Sequence, residues 1–139
     1  MTRTFVDSGV LIAAARGENV IAEAALSFLA DSTRIFVSSP FVRLEVLPKA
    51  IFNQKTVETE FYETFFSAVA TWVTDTDRLV QQAHTLACNY GLAAIDALHV
   101  AAAIALEAED LLTTEKSTKP MYRVPNIRVI SVFDAGLLG

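Results

Sequence analysis

Four acidic side chains, Asp7, Glu45, Asp96 and Glu115, stand where a folded chain can gather them. Asp7 ends the apolar run "TFVD" and precedes the small residues Ser8 and Gly9. Glu115 follows "DLLTT", Glu45 lies just beyond "RIFVSS", and Asp96 opens the apolar stretch "DALHVAAAIALEA". Carboxylates brought into one pocket repel one another and favour protonation. A divalent cation removes that penalty, and Mg²⁺ or Mn²⁺ prefers such hard oxygen ligands. An ion held there activates water and stabilises charge on a phosphodiester.

Each acid also has an ordinary use. Asp7 serves equally well as the cap of a helix beginning at Ser8 or Gly9. Glu45 and Lys49 are four apart in the favourable order for a surface ion pair, worth about 0.3–0.5 kcal/mol. Asp96 suits a cap or the first turn of a helix, where the dipole stabilises it by about 0.3–1 kcal/mol. Its neighbours Ile95, Ala97 and Leu98 point to burial, and a buried carboxylate needs a partner. Glu115, taken alone, is a solvated loop residue.

Other chemistries lack their residues. His84 and His99 are the only histidines and Cys88 the only cysteine, so no zinc pattern is present. His99, three positions after Asp96, is expected to pack beside it rather than to bind an ion. There is no G-x-S-x-G elbow and no Gly-rich phosphate loop. No aspartate ends "RIFVSS" to accept a phosphoryl group as in a receiver domain, although Lys119-Pro120 imitates one feature of that fold. Gly9 stands where a D-x-D phosphatase needs its second aspartate.

These acids must be held by elements legible in the pattern. "TFVD", "RIFVSS", "TWVTD", "DLLTT" and "IRVISV" read as strands. Helices are expected over "SGVLIAAARG", "ENVIAEAALSFLADS", "PFVRLEVLPKAIFN", "TVETEFYETFFSAV" and "TDRLVQQAHTLACNYG", and from about Ala94. Pro40 is a favourable first helical residue, whereas Pro48 should kink or break its helix. "EKSTKPMYRVPN" reads as one long polar connection. Strands alternating with helices point to an α/β domain with a mostly parallel sheet covered on both faces. In such sheets ligands lie beyond the carboxyl ends of the strands, where Asp7 and Glu115 stand.

Bulk composition agrees. A length of 139 residues, with 53% hydrophobic and 19% charged residues, fits one globular domain over residues 1–139. A lone cysteine allows no intrachain disulfide, which fits a reducing compartment, and the chain is expected to be cytoplasmic. No signal peptide is visible. The stretch Gly91 to Ala108 approaches membrane length but carries Asp96 and His99, so a buried helix is expected. The net charge of −5 argues against a broad basic surface for duplex nucleic acid.

"FVDSGVLIAAA", "SSPFVRLEVLP", "IDALHVAAAIALEAEDLLTTEK" and "IRVIS" together resemble the PIN domain, and within it the VapC-like ribonucleases of bacterial toxin–antitoxin modules. The resemblance runs from Thr4 to about Val132, and "DALHVAAA" is its most specific element. It implies a three-layer α/β fold and a metal-dependent endoribonuclease. Asp7, Glu45 and Asp96 match the family's Mg²⁺ or Mn²⁺ ligands, and Glu115 falls on the fourth acidic position. On this resemblance the first three acids hold the ion, while Glu115 completes the site or orients the attacking water. Thr113, Thr114 and Ser117 are candidate hydroxyl donors.

The chain departs from the pattern at Ser117, where many relatives have a second aspartate. It departs again at Glu115, a glutamate for an aspartate, and at Gly9, where a polar residue is common. Lys116, Lys119 and Arg123 are candidate contacts to the RNA backbone, their plain alternative being a solvated loop. Tyr122 is a candidate to stack a base. The resemblance also implies a homodimer and a small antitoxin partner. Phe61, Tyr62, Phe65 and Phe66 suit such contacts, or simply the core. The competing expectation is a PIN-fold binding module for RNA or protein with little turnover.

Overall fold

The first β-formers extend as β1, Thr2–Val6, and the chain turns directly into α1, Ser8–Arg16. The structure, a computed structural model, describes residues 1–17 and 19–133. Next come α2, Val20–Leu29, β2, Arg34–Ser38, α3, Pro40–Phe52, and α4, Thr56–Ser67. Then follow β3, Thr71–Trp72, α5, Thr76–Tyr90, α6, Ala94–Ala105, β4, Asp110–Thr113, and β5, Arg128–Ser131. Glu18, at the start of the expected second helix, lies outside the described residues.

The five strands form one sheet in the order β3-β2-β1-β4-β5, every pairing parallel. Helices cover both faces, giving three layers. Burial on both faces is why "FV" of β1 and "LL" of β4 are unbroken apolar pairs: Phe5, Val6, Leu111 and Leu112 are all within the core. Because β1 is the middle strand, its end is the middle of the carboxyl edge. Asp7 N extends the ladder one step, donating to Leu112 O at 3.0 Å.

Gly17 and Gly91 end α1 and α5 with φ of 64° and 73°, the left-handed cap that favours glycine. α3 departs from expectation by running through Pro48 without a break. Pro48 and Leu44, whose carbonyl loses its i+4 partner, both lie on the exposed face, where solvent has access. The polar connection after β4 is also more ordered than expected. A 3-10 turn, Pro120–Arg123, buries Met121, and Tyr122 Oη donates to Glu115 O at 2.7 Å.

Tyr62, Phe65 and Phe66 of α4 are buried and Phe61 partly so, which assigns the aromatic stripe to the core. The stretch after Gly91 is α6, whose Ala97 and His99 to Ala103 are buried. Among the described residues no single helix is long and apolar enough to cross a membrane.

Candidate metal centre

Asp7 is both a cap and a strand-edge acid. Its carboxylate accepts from Val10 N at 3.1 Å, the N-cap bond of α1, and is only 6% exposed. Burial pushes its pKa up to about 6, against lowering by the Thr113 hydroxyl, His99 and the Val10 N–H, and nearby Asp96 raises it further. Asp7 and Asp96 therefore feel one another across the junction of β1 and α6. Asp96 sits in the first turn of α6, half-buried; the helix cap is Ala93, with no side-chain bond.

Glu45 does not make the surface pair with Lys49 that its spacing allows. It turns inward from α3 to His99 of α6, with Nε2 to Oε1 at 2.6 Å, and accepts from Ser8 Oγ at 2.5 Å. The two donors, His99 first, hold the Glu45 carboxyl below its ordinary range against a partial cost of burial. His99 is thus the functional side chain that sequence reasoning undervalued. It is 2% exposed, lies against the Phe5 ring at 5.8 Å, and its Nδ1 is buried without a partner. The available signal was a histidine inside an otherwise apolar helix, since buried polar groups are normally bonded.

Glu115 stands just past β4. Its N–H donates to Thr113 Oγ1 at 3.1 Å, and its carboxylate lies 3.9 Å from Lys119 Nζ. Thr113 is spent on Asp7 and the Glu115 amide, so it orients the two acids instead of facing solvent. Lys116 lies 6.0 Å from the Phe133 ring centroid, and Arg123 is exposed at the end of the 3-10 turn. Ser117 is exposed.

Gly9 answers a steric need. A Cβ at position 9 would overlap Thr114 Oγ1 and would lie 3.5 Å from Asp7 Oδ1. The first turn of α1 thus packs directly on the chain leaving β4. Gly9→Ala is expected to cost about 1–3 kcal/mol by overpacking. Adding Thr114→Ala should recover most of that loss. Urea unfolding of the two single variants and the double variant checks this; additive losses would contradict it.

Among the described residues no three His, Cys, Asp or Glu side chains close on one point tightly enough to hold an ion. Buried Asp7, with Asp96 beside it, does fit a water-rich Mg²⁺ or Mn²⁺, which takes one or two carboxylates and keeps its waters. Glu45 is occupied by Ser8 and His99 through Oε1, and Glu115 by Lys119.

A family model for the PIN domain matches residues 4–124. The chain belongs to the PIN-domain family. Solved structures agree on the PIN fold. The chain is similar to VapBC2 from Rickettsia felis bound to a DNA fragment from its promoter, at 18% identity and TM-score 0.68, covering 94% of this chain and 98% of that one. It is similar to a toxin–antitoxin complex from Klebsiella pneumoniae, at 19% identity and TM-score 0.67, covering 93% and 97%. VapBC-1 from nontypeable Haemophilus influenzae matches at 16% identity and TM-score 0.66, covering 95% and 99%. No curated protein matches the chain significantly.

Proposed function

We propose that this PIN domain is a metal-dependent endoribonuclease and the toxin of a toxin–antitoxin pair. One observation carries the reading: Asp7, buried at the end of the central strand with a carboxyl pushed up to about 6, sits beside Asp96 at the ligand edge of the sheet. Its hydrogen bonds to Val10 and Thr113 do not offset the cost of burying the charge, and a cation there would. Bound Mg²⁺ or Mn²⁺ would supply an activated water and stabilise charge on the scissile phosphate.

The chain's own residues supply the frame. Asp7 and Asp96 would hold the ion, and Glu45, fixed through Oε1 by His99 and Ser8, would offer its other oxygen. Glu115, 3.9 Å from Lys119 Nζ, would orient the attacking water. Lys116, Lys119 and Arg123 flank the acids for the RNA backbone. A small antitoxin and a second copy of the chain are the partners in this reading, the antitoxin supported by the toxin–antitoxin complex among its fold relatives.

Among the described residues no tight three-acid cluster forms, which favours a second reading, a PIN-fold binding module with little turnover. Incubating purified protein with total RNA separates the two. Fragments that form with Mn²⁺ and stop with chelator are expected. Binding without cleavage across metals would favour the module.

A further inference from the structure

A cleft of about 250 Å³ opens beside Glu45, between the end of α1 and the α3–α4 hairpin. Arg16, Lys49 and Lys55 line it, with Glu58 and Tyr62. It continues past Arg16 and Lys55 into a second, wider hollow of about 540 Å³. Three of the chain's eleven Lys and Arg residues therefore face one path that begins at a candidate catalytic acid, in a protein of net charge −5.

The acids along the path leave two of these three cations unpaired. Glu58 is engaged by Arg16 at 3.7 Å, and Glu45 by His99 and Ser8. Among the described residues Lys49 and Lys55 have no ion-pair partner, and both are exposed. The backbone at Lys55 is fixed: its N–H donates to Ala50 O at 2.9 Å, after Gln54 turns the chain at φ 55°.

Tyr62 supplies an independent observation. The residue as a whole is 2% exposed, and its hydroxyl, which bonds no described residue, is open to solvent. Glu58 and Arg16 both act on that hydroxyl, which places it at the cleft. A phenol with a buried ring and an open hydroxyl holds its donor in a fixed place. A recessed donor between lysines suits a phosphate oxygen. A duplex presents its phosphates on a broad convex surface, whereas a single strand can enter a narrow cleft.

We infer that this cleft binds the sugar–phosphate backbone of single-stranded RNA running away from the scissile bond, with Tyr62, Lys49 and Lys55 as its phosphate contacts. The inference rests on the nuclease reading and names the path that substrate takes to it.

The test is anisotropy of a fluorescein-labelled, mixed-sequence single-stranded RNA with Asp96→Asn protein over a salt series, supported by cleavage kinetics in the otherwise unaltered chain. Lys49→Gln and Lys55→Gln should each weaken binding several-fold and lower the magnitude of the log K against log salt slope by about 0.7. Tyr62→Phe should weaken binding by about 3–10-fold with the slope and melting temperature unchanged. In cleavage these variants should raise KM and spare kcat. Unchanged affinity and slope in all three overturns the cleft while leaving the nuclease intact. So does a slope carried by Lys116→Gln and Lys119→Gln instead, or binding of polyglutamate in place of RNA. Failure of the unaltered chain both to bind and to cleave RNA overturns the nuclease reading beneath it.

Discussion

Asp7→Asn should abolish RNA cleavage and at the same time make the metal-free protein more stable at neutral pH. Asparagine keeps the oxygen that caps Val10, so α1 retains its start. What it removes is a buried charge. The folded pKa of Asp7, about 6, lies above the unfolded value of 3.8. The folded state therefore holds the proton more tightly, and the contribution to stability is full below about pH 4 and lost as pH rises through 6. A shift of this size corresponds to about 3 kcal/mol at pH 7.

Metal-free Asp7→Asn should then match the unaltered chain near pH 3.5 and exceed it at pH 7. Guanidinium unfolding at the two pH values, in chelator, measures the difference. Mn²⁺ should reverse the order at pH 7, since only the carboxylate gains from the ion. A metal-free variant that is less stable at pH 7 would contradict the buried-charge account.

The second large effect concerns His99. His99→Leu should lower metal-dependent cleavage by about 10–100-fold, the usual cost of removing a group that orients a ligand. Its Nε2 donates to Glu45 from a buried position, and without it only Ser8 holds that carboxylate. His99→Gln places an amide donor at similar reach and should recover most of the activity. Mn²⁺ titration by calorimetry should follow the same order, since His99 acts through Glu45. Equal loss in both variants would reduce His99 to a packing residue beside Phe5.

Much of the frame was legible because it depends on local signals. Gly17 and Gly91 mark helix ends by their left-handed caps, and the short apolar runs before Asp7 and Glu115 mark the strands whose ends hold them. Asp7 could be read as cap or ligand from its place alone, and it is a cap with a buried carboxyl. The His99–Glu45 bond joins residues 54 apart, across the contact of α3 with α6. Nothing in the spacing of either helix reveals it, and the local Glu45–Lys49 pair was the nearer choice. Pro48 was misjudged for the opposite reason: a strong local rule yields on a helix face open to solvent. Gly9, counted as a departure from the family pattern, is set by its contact with Thr114. The Tyr62 cleft exists only once α1, α3 and α4 are packed.

The most direct test is cleavage of one RNA panel, spanning tRNA, rRNA and mRNA, by the unaltered chain and by Asp96→Asn purified side by side with Mn²⁺. The account predicts discrete fragments from the first, stopped by chelator, and none from the second. Equal cleavage by both would remove Asp96 from the centre. No cleavage by folded, metal-loaded, antitoxin-free protein would contradict the nuclease itself.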